Sequence, residues 1–106
     1  METNDALAAL SALAQENRLA IFRLLVRHAP AGMAVGQIGE TLGLAAATLS
    51  FHLKELHRAG LIESQNEGRF IFYRARLDAM DALVNFLTEN CCGGTPCRPD
   101  RPSRCP

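Results

Sequence analysis

The stretch that most narrows how this chain can fold runs from residue 35 to residue 74. A short helical segment over 35–42 ends at Gly43, a residue suited to the left-handed conformation that stops a helix. Only Leu42-Gly43-Leu44 separates it from a second helical segment, 45–59, which itself ends at Gly60. Two helices joined by so tight a glycine-bearing turn must cross steeply, as in a helix-turn-helix. Two β-prone runs follow, Leu61-Ile62-Glu63-Ser64-Gln65 and Phe70-Ile71-Phe72-Tyr73-Arg74, on either side of the polar Asn66-Glu67-Gly68-Arg69. That pattern predicts a β-hairpin. The order of turn, helix and hairpin predicts a mainly α, winged helix-turn-helix fold, with five helices and a β-hairpin wing.

The other three helices come from periodicity. Residues 4–14 are rich in Ala and Leu, with Thr3 or Asn4 as N-cap and Leu7, Leu10 and Ala14 on one face. Residues 16–28 place Leu19, Phe22, Leu25 and Val26 together, with Arg18, Arg23 and Arg27 elsewhere, until Pro30-Ala31-Gly32 breaks the helix. Residues 77–89 carry a broad apolar set, Leu77, Met80, Leu83, Val84, Phe86 and Leu87, enough for one face on the core and another on a partner subunit. Residues 91–106 are rich in Cys, Gly, Pro and Arg and predict no regular element. The organisation expected is a folded domain over 1–90 and a cysteine-rich tail over 91–106. At 106 residues the chain holds one small core, which a second subunit would help to stabilise. No apolar run has the length of a membrane span, and the acidic start Met1-Glu-Thr-Asn-Asp5 lacks the basic region of a signal peptide. The expected location is cytoplasmic, away from membranes.

A formal net charge of zero does not advertise a nucleic-acid partner, but the distribution does. Residues 45–76 hold Lys54, Arg58, Arg69, Arg74 and Arg76 against Glu55, Glu63 and Glu67, whereas the first seventeen residues hold three acids and no base. Along 45–59, Leu49, Leu53 and Leu56 share the inward face. Ala47, Ser50, Phe51, Lys54 and Arg58 take the opposite side, with Thr48 and His52 on the flanks. Small residues permit close approach, Ala and Phe suit thymine methyls, Ser can bond base edges, and Lys and Arg can grip phosphate. Arg69 at the hairpin tip would reach the backbone or minor groove, while Arg74 equally suits an ordinary strand surface. A solvated amphipathic helix would show much the same pattern; the hairpin behind it favours double-stranded DNA.

The segment Thr48-Leu-Ser-Phe-His-Leu-Lys-Glu-Leu-His-Arg-Ala-Gly-Leu-Ile62 resembles the ArsR/SmtB family of metal-responsive repressors, as does Glu16-Asn-Arg-Leu-Ala-Ile-Phe-Arg-Leu-Leu25. The resemblance extends over residues 5–90, and Ser50-x-His52-Leu53 and Ala59-Gly60-Leu61 are its more specific marks. It implies a homodimer held by the first and last helices, bound to a palindromic operator and released by an inducer. Three departures stand out. Ala45-Ala46-Ala47 replaces the usual serine cap of the reading helix, a loss of about 1 kcal/mol. Ala34 and Gly36 occupy the places of a frequent cysteine pair. The last helix has Asp78 and Asp81 but no histidine for the family's other metal site.

Sensing is therefore expected in the tail, where all four cysteines lie. In Cys91-Cys92-Gly-Gly-Thr-Pro-Cys97 two adjacent thiols precede a flexible Gly-Gly and a proline that let Cys97 return to them, at little closure entropy. Three soft thiolates suit a trigonal-pyramidal ion: trivalent arsenic first, then antimony or bismuth. The site also resembles that of some arsenite-responsive members of the family. Zinc would need a fourth ligand, for which Cys105 is available. Oxidation is a third reading, since Arg98, Arg101 and Arg104 would favour thiolates; a tail without any ligand is the fourth. Neither a nucleophile constellation, a phosphate loop nor a C-x-x-C beside a βαβ unit is present, so no enzyme is expected. The chain reads as a transcriptional repressor of arsenic-resistance genes, released by arsenite at Cys91, Cys92 and Cys97.

Overall fold

A computed structural model describes residues 1–90 and Gly93. In chain order it contains α1 (Thr3–Leu13), α2 (Glu16–Arg27), β1 (Met33–Ala34), α3 (Val35–Leu42), α4 (Ala46–Arg58), β2 (Ile62–Glu67), β3 (Phe70–Ala75) and α5 (Leu77–Thr88). The five expected helices and the hairpin are all present among the described residues. Local chemistry fixes the helix starts. The Asp5 carboxylate accepts the Glu2 N–H at 3.3 Å, Gln15 Oε1 accepts the Arg18 N–H at 3.0 Å, and Gln37 Oε1 accepts the Ala34 N–H at 3.1 Å. Each satisfies a donor that the helix itself leaves unpaired. Gln15, outside the usual cap residues, does for α2 what Ser or Asp commonly does.

The sheet has three strands in the order β1-β3-β2, both pairings antiparallel. Glu67 pairs with Phe70, so the wing turn is the two residues Gly68-Arg69, with Gly68 at φ +63°. That is the positive first dihedral of a type II′ hairpin turn. The third strand, Met33 and Ala34 opposite Tyr73 and Phe72, goes beyond the expected hairpin. It requires the chain to turn into the sheet at Gly32. There φ is +84°, and a Cβ would stand 2.5 Å from the Tyr73 carbonyl oxygen, so only glycine fits.

The core joins Ile21, Phe22, Leu24 and Leu25 of α2 to Ile38, to Leu49, Leu53 and Leu56 of α4, and to Leu61, Ile62 and Leu83. On α1 the buried face is Ala6, Ala9 and Ala12. This corrects the expected one: Leu7 is 58% exposed and Leu10 also faces solvent. Alanines let α1 lie close against α2 and α4, which leaves the bulkier leucines outside. Leu19 of α2 is likewise exposed, because Ile21 and Leu24 complete the inward stripe in its place. On α5, Leu83 is buried and Met80 and Phe86 pack on the core, while Leu77, Val84 and Leu87 are exposed. The expected division of α5 into a core face and a free face is present. No helix of the described residues is long and apolar enough to cross a membrane.

Candidate nucleic-acid interface

Helix α4 is set on α3 by two glycines. Gly43 takes the left-handed conformation (φ +67°), and the Leu44 N–H closes the turn on the Gly39 carbonyl at 3.0 Å. A Cβ on Gly39 would approach the Leu44 oxygen and Leu49 Cδ2 to 3.3 Å each, so glycine there lets the two helices close on each other. The start of α4 lacks a side-chain cap. Ala45 is extended and offers only its carbonyl, to the Leu49 N–H at 2.9 Å. At the far end the Leu61 N–H bonds the Leu56 carbonyl, and the Arg76 N–H bonds Leu61, which ties both ends of the hairpin to the base of α4.

Leu49, Leu53 and Leu56 point into the core as expected, and Ala47, Thr48, Ser50, Phe51, Lys54 and Arg58 are exposed. His52 is the correction. It is only 6% exposed and belongs to the inner face. Positions 49, 52, 53 and 56 form one helical stripe, so the spacing itself carried the signal. Its Nδ1 accepts a hydrogen bond from Arg18 Nε at 3.2 Å. Burial, and then the neighbouring Arg18 charge, hold its pKa below the usual 6.5. Accepting at Nδ1 leaves the proton of the neutral ring on Nε2, and the buried ring belongs to the core side of α4 rather than to its exposed side.

Arg18 was not among the expected site residues. Its guanidinium carbon stands 5.8 Å from the Phe51 ring centroid, and Phe51 meets the His52 ring edge-on at 5.4 Å. Other cations differ in how committed they are. Arg58 pairs with Glu55 at 3.4 Å on the exposed helix surface, a contact that water weakens. Arg74 pairs with Glu63, its register partner on β2, at 3.1 Å and so serves the sheet. Arg76 pairs with Asp78 at 2.9 Å, which raises the Arg76 pKa and lowers that of Asp78. Lys54 and the wing-tip Arg69 are exposed and make no ion pair among the described residues.

Between α4 and the wing lies an open groove of about 290 Å³, lined by Gly36, Ser50, Leu53, Arg69, Ile71 and Tyr73 among others. It brings Ser50 and Arg69 to the same concavity from segments nineteen residues apart in sequence. Cys91, Cys92, Cys97 and Cys105 lie outside the described residues. Among the described residues no three His, Cys, Asp or Glu side chains cluster so as to hold a metal ion.

Comparison with known proteins agrees with this geometry. A helix-turn-helix domain family matches residues 13–65. The transcriptional activator HlyU of Vibrio cholerae is 33% identical over 94 residues, covering 87% of this chain and 84% of that protein. Its solved structure superposes with a TM-score of 0.68 at 32% identity, over 87% of this chain and 99% of that one. The cadmium resistance regulatory protein CadC of Listeria innocua is 32% identical over 81 residues, 73% of this chain and 66% of that protein. A homodimeric winged helix-turn-helix DNA-binding domain from Mycobacterium bovis, described as a possible ArsR-family regulator, gives a TM-score of 0.67 at 28% identity over 87% of this chain and 85% of its own. These relatives are named as regulators of transcription, and the two solved structures superpose over 87% of this chain. The chain belongs to the ArsR/SmtB family of winged helix-turn-helix transcriptional regulators.

Proposed function

We propose that this regulator is a homodimeric repressor whose hold on operator DNA is relaxed by trivalent arsenic bound to Cys91, Cys92 and Cys97. The observation that carries this reading is the placement of three thiols within seven residues, directly after the last helix. Trivalent arsenic takes three soft ligands and leaves its fourth position to a lone pair, so it is satisfied by the thiols at hand. Antimonite has the same demands. Ala47, Thr48, Ser50, Phe51, Lys54 and Arg58 form the face toward the major groove, and Arg69 reaches the backbone beside it. Leu7 and Leu10 on α1 and Val84 and Leu87 on α5 offer apolar surface for a second copy, and the Mycobacterium bovis neighbour is homodimeric.

Arsenic at the end of α5 would act on the helix that carries part of the dimer contact, and so on the spacing of the two reading helices. The coupling required is modest, about 1–3 kcal/mol, or 5- to 150-fold in DNA affinity. By linkage, operator DNA weakens arsenite binding by the same factor. A second reading, a divalent metal held by the same cysteines with Cys105 as fourth ligand, is favoured by the likeness to a cadmium resistance regulator.

One titration separates the two. Thiol-to-arsenic ultraviolet absorption should saturate at one arsenite per protomer and vanish in Cys91→Ser, Cys92→Ser and Cys97→Ser while persisting in Cys105→Ser. Gel shifts on the upstream DNA with arsenite, antimonite, zinc, cadmium and peroxide then identify the inducer. Release by zinc or cadmium that needs Cys105 supports the second reading and removes the first. Run-off transcription from the same DNA gives the sign of regulation, which matters because HlyU is named an activator.

A further inference from the structure

Arg18 belongs to the first turn of α2, yet its side chain ends at the edge of the α4 surface. The donor Nε meets His52 Nδ1 at 3.2 Å, the guanidinium lies 5.8 Å from the Phe51 centroid, and the two rings meet at 5.4 Å with an interplanar angle of 62°. Each of the three groups touches the other two. They grade outward from the core: His52 is buried, Arg18 is half-buried and Phe51 is 55% exposed. Arg18 is also anchored at its root, where its N–H is bonded by Gln15, and α2 itself is fixed by Ile21, Phe22 and Leu25 in the core.

An exposed phenylalanine on a helix has two open χ1 wells, and a ring that visits both must be ordered when a partner binds. A cation over one ring face, with an edge-on histidine beside it, selects one well. We propose that Arg18 is a positioning residue for base recognition: it holds the Phe51 ring in one orientation, directly by stacking and indirectly through His52, so that the ring meets the 5-methyl group of a thymine in the major groove. Sequence selectivity is then set partly from α2, a helix that touches no base. This inference rests on the proposal that the exposed face of α4 reads DNA.

The test compares the full-length protein with Arg18→Lys, Arg18→Met, Phe51→Leu and the Arg18→Met/Phe51→Leu double variant. Fluorescence anisotropy is measured on operator DNA, and on the same operator with single thymines replaced by uracil, across a salt series. In the unaltered protein one uracil substitution should weaken binding about fourfold, the worth of one buried methyl. Arg18→Met should lose that discrimination with an unchanged salt slope, Phe51→Leu should lose it too, and the double variant should be no worse than either. A salt slope shallower by about one per protomer, with discrimination intact, would make Arg18 a phosphate contact and overturn the proposal. Unaltered uracil discrimination in Phe51→Leu would remove Phe51 from the reading face, and the present inference with it. A DNA-free measurement separates positioning from folding. Scalar couplings should report one Phe51 χ1 rotamer in the unaltered protein and averaging in Arg18→Lys, with far-ultraviolet circular dichroism unchanged. Averaging already present with Arg18 in place would refute the positioning role.

Discussion

A histidine that accepts a hydrogen bond from a guanidinium inside a leucine stripe has to stay neutral, and His52 is held that way by burial first and by the Arg18 charge second. Its pKa in the folded chain lies below the 6.5 of the unfolded chain. Below about pH 6.5 the unfolded state therefore binds the proton first and is the state stabilised. The His52 contribution to stability is complete above that pH and is lost as pH falls through the folded-state value. Urea midpoints at fixed protein concentration should fall across this acidic window, and His52→Gln should flatten the fall; an equally steep fall in the variant would show that His52 is not its source. Lys54 supports a second prediction at this scale. With no ion pair among the described residues, it is available to phosphate. Lys54→Ala should weaken binding to all sequences alike and reduce the salt slope by about two for a dimer, one per copy. The exposed residues of α4 were legible in the sequence because leucine spacing marks the opposite face. His52 was misplaced because polar type was weighed above position, and Arg18 was missed because its partner lies 34 residues away, beyond the reach of any local pattern.

Helix α4 begins without a side-chain acceptor, since Ala45 holds the N-cap position in an extended conformation suited to serine. Ala45→Ser should stabilise the fold by about 1 kcal/mol, read as a higher urea midpoint at constant slope. An unchanged midpoint would mean that the turn around Gly43 already supplies what a cap would. Gly32 is the opposite case. A methyl group there meets the Tyr73 carbonyl and the Arg74 Cγ at a left-handed backbone position, so Gly32→Ala should cost about 2–4 kcal/mol and detach β1 from β3. The helices were readable from sequence because each spans enough residues to display a period, and the hairpin because two β-prone runs flank a polar, glycine-bearing turn. β1 was not readable, since two residues cannot show alternation and its existence depends on β3, forty residues later. The face of α1 was misread for a related reason. Hydropathy ranks leucine above alanine, whereas close helix packing at Ala6, Ala9 and Ala12 favours the smaller side chain.

At the scale of the whole molecule, those displaced leucines become an argument about assembly. Leu7 at 58% exposure and Leu87 at 57% lie on the first and last helices, and two helices that each keep apolar side chains in water invite a common partner. If that partner is a second copy, the two α4 helices address successive major grooves about 34 Å apart, and their contributions to affinity multiply through effective concentration. Leu7→Asp/Leu10→Asp should therefore sediment as a monomer with unchanged circular dichroism, and its operator affinity should fall by about 100-fold or more, toward that of a single half-site. A variant that remains dimeric and bound to DNA would take α1 out of the contact. The same variant isolates the proposed sensor. Cys91, Cys92 and Cys97 belong to one chain, so arsenite should still bind the monomer at one per protomer, yet it should no longer change the residual DNA affinity. Loss of arsenite binding on dissociation would instead place thiols from both subunits at one ion, and would shift the sensing site from the tail of one protomer to the junction of two.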